Sequence, residues 1–148
     1  MLKNIPTFLI VDDDATMARL LAKVTERAFG GELRVESIID PHTALKRIEQ
    51  GGVDILLTDL EMPGIDGIDI LKYAKRRNAY TQVIVLTGNS SDQALLTALE
   101  CGANDYLLKP VDQLALVDLL RQTCQRRLRW QRALVDTWQK QKQACASE

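Results

Sequence analysis

Two rhythms of apolar and polar residues alternate along this chain. Five short apolar runs, roughly 7–12, 33–39, 53–58, 82–87 and 104–108, are separated by longer stretches whose apolar residues recur every three or four positions. The first rhythm predicts strands and the second amphipathic helices. Met17, Leu20, Leu21, Val24 and Ala28 keep helical spacing, and Gly30-Gly31 stops that helix. Asp40 as N-cap and Pro41 at the first helical position open a second helix, which Gly51-Gly52 closes. Ile68, Ile70, Leu71 and Ala74 line a third. Ser91 or Asp92 caps a fourth that ends at Gly102, and Asp112 starts a fifth after Pro110. Strands alternating with helices predict right-handed crossovers and a parallel sheet covered on both faces, a three-layer α/β fold.

The last stretch departs from this alternation. Gly102 and Pro110 are the final glycine and proline, so nothing obliges the fifth helix to stop near Arg121. Leu114, Val117, Cys124, Leu128, Val135 and Trp138 follow 3-4 spacing, with Arg121 and Gln131 in two seam positions between them. The expected division is a globular domain over 1–121 and a helical extension over 122–148. The rod should continue to about Trp138, with a polar, fraying end from Gln139 to Glu148. Its apolar stripe of Leu128, Leu134, Val135 and Trp138 needs a cover, and a parallel second copy is the simplest one, giving a homodimer.

Composition narrows the class. With 148 residues, 46% hydrophobic and 26% charged, the chain is long enough for one domain with a full core plus an appendage. The formal charge of -1 asks for neither nucleic acid nor anionic lipid as a partner. It hides an asymmetry, net -4 over residues 1–111 and +3 over 112–148. Arg126, Arg127, Arg129 and Arg132 read as a solvated helix face rather than a nucleic-acid patch. Cys101, Cys124 and Cys145 are odd in number and far apart, which excludes a disulfide framework or zinc spacing and fits a reducing compartment. No run approaches the ~20 apolar residues of a membrane span. Ile5 to Val11 is short and leads into three aspartates, unlike a signal peptide, so a cytoplasmic protein is expected.

The chemistry gathers at the strand ends. Phe8-Leu9-Ile10-Val11 runs into Asp12-Asp13-Asp14, Ile55-Leu56-Leu57-Thr58 into Asp59, Val83-Ile84-Val85-Leu86 into Thr87-Gly88, and Tyr106-Leu107-Leu108 into Lys109-Pro110. Open α/β sheets place ligands at their carboxyl edge, so acids, a hydroxyl and an ammonium should converge there. Like charges ~4 Å apart repel by about 4 kcal/mol at an effective dielectric near 20, and a divalent cation relieves this. Magnesium suits such an oxygen set, with manganese able to take its place. A carboxylate can attack phosphorus to form an acyl phosphate, while Lys109 and Thr87 can hold phosphoryl oxygens.

Val11-Asp12-Asp13, Asp59 with Met62-Pro63-Gly64 and Asp66-Gly67, Thr87-Gly88, and Tyr106 with Lys109-Pro110 together resemble the receiver domain of two-component response regulators, across about residues 5–122. The resemblance implies a flavodoxin-like sheet in the order 2-1-3-4-5 and a cis peptide at Lys109-Pro110. It implies phosphorylation of Asp59 by a sensor histidine kinase or phosphotransfer protein. Asp13, Asp59 and the Glu61 carbonyl would bind the metal directly, and Asp12 through water. Thr87 would swing toward the phosphoryl group and Tyr106 would turn inward behind it, switching the face made by the fourth helix, fifth strand and fifth helix. Gly88 stands where alanine is commoner, and Glu61 lies two residues past the acceptor, where the family varies and the phosphoryl lifetime is tuned.

Blander uses exist for each piece. Asp12-Asp13-Asp14 can be a helix cap, Thr87-Gly88 a turn, Lys109-Pro110 a loop entry and Tyr106 core filler, while His42 reads as a solvated residue. A rival chemistry also fits part of the set. Asp12-Asp13-Asp14-Ala15-Thr16 matches the DxDxT motif of haloacid-dehalogenase-like phosphatases, with Asp12 as nucleophile and Asp14 as general acid. That reading leaves Asp59 without a role, and only scattered Asp112, Asp118 and Asp136 follow the lysine. A degenerate receiver acting purely as an interaction module is the third alternative, and the complete set of acids, hydroxyl and lysine argues against it.

Overall fold

The structure, a computed structural model, describes residues 4–88 and 92–147. Five strands, β1 (Thr7–Val11), β2 (Arg34–Ile38), β3 (Ile55–Asp59), β4 (Gln82–Thr87) and β5 (Asp105–Leu108), form one parallel sheet in the order β2-β1-β3-β4-β5. Each expected strand is present, most of them a residue or two shorter than the apolar run that predicted it. Five helices connect and cover them: α1 (Ala15–Phe29), α2 (Pro41–Glu49), α3 (Gly67–Arg77), α4 (Asp92–Glu100) and α5 (Gln113–Ala146).

Alternate strand residues point to opposite faces, and two cores result. Phe8, Ile10, Ile55, Leu57, Ile84 and Leu86 pack with Leu21 and Phe29 of α1 and Leu116, Leu119 and Leu120 of α5. Leu9, Val11, Leu56, Val83 and Val85 pack with Ala44 and Ile48 of α2, Ile70, Leu71 and Ala74 of α3, and Ala98 of α4. The central strands β1, β3 and β4 are buried throughout, as their unbroken apolar runs require.

The helix starts follow from short polar side chains. Asp14, Asp40, Asp66 and Asp112 each accept a backbone N–H from the first turn of α1, α2, α3 and α5. The expected cap at Ser91 lies outside the described residues, and Asp92 is the first residue of α4. Gly30 ends α1 at φ 56°, and a short 3-10 turn, Gly30–Glu32, follows before β2. The buried stripe of α1 is rotated from the expected one. Ala18, Leu21, Thr25 and Phe29 face inward, Met17, Val24 and Ala28 flank them, and Leu20 stays exposed.

The fifth helix corrects two expectations. It is one rod of 34 residues that continues past Trp138 to Ala146. The Gln and Lys residues after Trp138 are good helix formers, and neither glycine nor proline interrupts them. Its core-facing stripe is Leu116, Leu119, Leu120 and Thr123; of the 3-4 series, Val117 and Cys124 are half-buried and Leu114 is exposed. Arg121 lies over the Phe29 ring at 5.1 Å. Arg126 and Arg127 do not belong to a solvated face. They reach back to the amino edge of the sheet, where Arg127 Nη2 donates to Asp54 Oδ1 at 3.0 Å and Arg126 lies 3.6 Å from Asp105. Arg129 and Arg132 are exposed, as expected. No helix among the described residues is long and apolar enough to cross a membrane.

Candidate phosphoryl-acceptor site

The sheet order places β1 and β3 side by side at the point where the chain reverses direction across the sheet, the usual ligand position of such folds. Asp12 and Asp13 follow β1, Asp59 ends β3, Thr87 ends β4 and Lys109 follows β5. Backbone hydrogen bonds lock these ends together. Leu60 N–H donates to Leu86 O at 2.9 Å, and Lys109 N–H to Thr87 O at 2.8 Å. The Lys109-Pro110 bond is cis, as the resemblance implies. Gly67 explains the Asp66-Gly67 pair, because a Cβ there would collide with the Asp59 carbonyl and the Leu60 backbone. Only glycine lets the first turn of α3 lie against the end of β3.

Asp59 is 1% exposed, and both carboxylate oxygens are held. Oδ1 accepts the Glu61 N–H at 2.9 Å, and Oδ2 accepts from Lys109 Nζ at 2.7 Å. Asp12 is fully buried. Its Oδ1 accepts the Asp14 N–H at 2.9 Å, whereas Oδ2 is buried with no hydrogen-bond partner among the described residues and lies 3.9 Å from Lys109 Nζ. Burial is the main reason that the Asp12 pKa is pushed up to about 6. The Asp14 hydrogen bond and Lys109 work against that rise, and the charges of Asp59 and Asp13 add to it. Burial also disfavours the Lys109 charge, but its hydrogen bond to Asp59 and the charges of Asp12, Asp59 and Glu61 outweigh this and raise its pKa.

Asp12, Asp13 and Asp59 each offer a carboxylate oxygen, and the three lie within 4.8 Å of one another. One lysine cannot neutralise three carboxylates. An all-oxygen donor set that includes an orphaned buried oxygen has the chemistry of a hard divalent cation site. Thr87 is buried beside this cluster, and its hydroxyl donates to Glu61 Oε1 at 3.4 Å. Tyr106 stands elsewhere. It is 52% exposed and lines a groove of about 650 Å³ between α4 and β5 with Leu95, Leu96 and Leu99. Sequence reasoning read the main-chain carbonyl of Glu61 as functional and gave its side chain no contact. The bond to Thr87 joins residues 26 positions apart, and no local pattern signals it.

The phosphatase arrangement is not favoured. Asp14, its intended acid, is an N-cap whose Oδ1 accepts from both Thr16 and Met17 N–H groups, and the lysine lies closer to Asp59, at 2.7 Å, than to Asp12, at 3.9 Å.

Comparison with known proteins agrees. Residues 8–121 match the response regulator receiver domain. The transcriptional regulator NtrC of Klebsiella pneumoniae is 38% identical over 113 residues, covering 74% of this chain and 23% of that protein. The regulatory protein FixJ of Azorhizobium caulinodans is 30% identical over 125 residues, covering 82% and 56%. The chain thus spans about a quarter to a half of the length of these relatives. Among solved structures, a CheY-like receiver domain protein of Methanospirillum hungatei superposes with a TM-score of 0.80 at 25% identity, over 85% of this chain and 98% of that one. The chain belongs to the response regulator receiver domain family of two-component signalling.

Proposed function

We propose that Asp59 is the phosphoryl acceptor of this receiver and that a sensor histidine kinase or phosphotransfer protein is the donor. The observation that carries this reading is the pairing of Lys109 Nζ with Asp59 Oδ2 at 2.7 Å beside the orphaned Oδ2 of Asp12. An oxygen of Asp59 attacks the phosphorus of a phosphohistidine, the P–N bond breaks, and its electron pair stays on the imidazole, which takes up a proton. Lys109 neutralises charge on the transferring oxygens, and the Thr87 hydroxyl donates to one of them. Asp13, Asp59 and the Glu61 carbonyl are the residues that would hold Mg2+, or Mn2+ in its place, with Asp12 acting through water. Bound there, the cation supplies charge neutralisation for the acid cluster and the phosphoryl oxygens. Tyr106 turns inward once Thr87 has moved, and the face of α4, β5 and α5 carries the change outward.

The helical extension, assigned to residues 122–148, follows a receiver assigned to 1–121. On the single chain Leu128, Leu134, Val135 and Trp138 are 39–60% exposed, which supports a second copy packed along the rod. The protein acts in the cytoplasm, and nucleic acid is not a partner of this segment.

Incubation with acetyl phosphate and magnesium, followed by peptide mapping, tests the central claim. Label is expected on Asp59 alone and is lost in Asp59→Asn, because an amide is neither a nucleophile nor an anionic ligand. Labelling of that variant at the wild-type rate would refute the assignment, and turnover through Asp12 would point to the phosphatase chemistry instead. Truncation after Leu128 keeps the Arg126 and Arg127 pairs. It should preserve labelling and abolish dimerisation in sedimentation, and an unchanged oligomeric state in both phosphorylation states would sink the rod dimer.

A further inference from the structure

We infer that the second copy lies antiparallel to the first along the rod, its tip seated in the corner beneath the amino edge of the sheet. The inference rests on the rod dimer and names its orientation. Five turns of α-helix take about 18 residues, so Leu134 stands in line with Leu116, and Trp138 with Leu120. Leu116 and Leu120 are fully buried against the domain, whereas every residue from 128 to 147 is exposed. The face that holds α5 to the sheet therefore continues past it as Trp130, Leu134 and Trp138. The domain stops at Arg127, which is fastened to Asp54, and an open corner follows. It encloses about 280 Å³ between Asp54, Tyr80 and Thr81 of the amino edge and Trp130, Leu134 and Val135 of the rod.

Orientation follows from this continuity. On this face the parallel partner expected from the sequence would run, above Arg127, into the space that the domain fills. An antiparallel partner meets no such obstacle, because its own domain lies beyond the far end of the rod. The stripe is also symmetric about Asp136, which points away from it. Reversal sets Leu134 against the partner's Trp138, Gln131 beside the partner's Gln141, and Arg127 beside the partner's Cys145. The incoming tip reaches the corner just where the domain begins, and Gln141, Ala144 and Cys145 bring no charge beneath it. A parallel pair through Leu128 and Val135 would instead set Arg121, Gln131 and Lys142 in its seam. The stripe has surface enough for a dimer. Trp130 and Trp138 are 57% and 60% exposed, and a buried aromatic side chain covers about 150–250 Å². The indoles of two copies alone supply about a third to a half of the roughly 1,200 Å² at which specific interfaces begin.

Gln131→Cys and Gln141→Cys in one chain, with Cys145→Ser, put a thiol on each side of the symmetry point. After reaction with a short bismaleimide, peptide mapping of the covalent dimer should join position 131 of one copy to position 141 of the other. Sedimentation gives the oligomeric state of this chain, the wild type and two further variants. Leu134→Glu should weaken the dimer by at least about a hundredfold, because each dimer would bury two unpaired carboxylates. Leu128→Glu, off the stripe, should change it by less than about fivefold. Both should be labelled by acetyl phosphate at the wild-type rate, since neither touches the acid cluster. Links from 131 to 131 and from 141 to 141, or a dimer that survives Leu134→Glu, would overturn the antiparallel arrangement. The rod dimer itself would still stand if truncation after Leu128 abolishes association. A wild-type protein that is monomeric in both phosphorylation states overturns both.

Discussion

The two edges of the sheet treat charge in opposite ways. At the amino edge Asp54 and Asp105 each have a basic partner of their own. Asp54 accepts the Thr7 N–H at 2.8 Å with one oxygen and Arg127 with the other, and Asp105 faces Arg126. Lys75, which lacks a carboxylate, donates instead to Thr81 O and Asn104 Oδ1, both at 2.8 Å. Burial lowers its pKa accordingly. Arg126 Nη1 and Gln82 Oε1 are the buried exceptions there without a hydrogen bond among the described residues. At the carboxyl edge, by contrast, Asp12 and Asp59 share one lysine, with Asp13 clustered beside them. One edge is electrostatically closed and fastens the rod to the domain. The other holds excess negative charge, and that excess is the capacity to bind something positive.

The largest effect should come from relieving the open edge. A carboxyl with a raised pKa binds its proton more tightly in the folded than in the unfolded state. The metal-free fold should therefore lose stability as pH rises from about 4 through about 6, by roughly 3 kcal/mol in all. Asp12→Asn should remove that decline and be about 3 kcal/mol more stable than wild type at pH 7, while binding magnesium far more weakly. Urea unfolding across pH in the presence of a chelator checks both. A wild-type midpoint that climbs with pH over this window would contradict the assigned burial cost.

Next in size is the shared lysine. Lys109→Ala leaves two buried carboxylates facing each other, and should keep the fold but cost about 2 kcal/mol at pH 7 without metal. Saturating magnesium should restore part of that loss. Asp59 should still be labelled, with the response of the α4, β5 and α5 face uncoupled from it. Amide chemical shifts on that face, with and without beryllofluoride, report the coupling.

The closed edge should respond locally. Arg127→Ala breaks a half-buried pair and should cost about 1 kcal/mol in urea unfolding, with the rate of labelling by acetyl phosphate unchanged. Smallest of all is Gly88→Ala. The added methyl meets Lys109 carbons at 3.4 Å, ordinary contact, so stability should stay within about 0.5 kcal/mol.

This contrast also explains what could be read from the sequence. Asp12, Asp13, Asp59, Thr87 and Lys109 were legible because each ends an apolar strand, and a parallel sheet brings strand ends together by topology alone. The caps at Asp14, Asp40, Asp66 and Asp112 were equally plain, since a cap acts on residues two or three positions away. Contacts made across the fold were not legible. The bond between Glu61 and Thr87, and the pairs of Arg126 with Asp105 and Arg127 with Asp54, depend on distances that only the packed chain sets. Leu20 deceived the periodicity because a helix lying on a sheet buries a narrow stripe. Tyr106 could not be placed, because a tyrosine on an edge strand can face either way without changing the pattern.

The continuous α5 helix has a mechanical consequence. From Arg127, where the rod is fastened, to Ala146 the free arm is about 30 Å long at 1.5 Å per residue. Tilting such an arm by about 10° at its base sweeps its tip sideways by about 5 Å, close to the pitch of one helical turn. Displacements at the carboxyl edge that are too small to rearrange the core would arrive at residue 146 magnified. Geared in this way, α5 turns a subtle change of pose in the receiver into motion on the scale of a side chain.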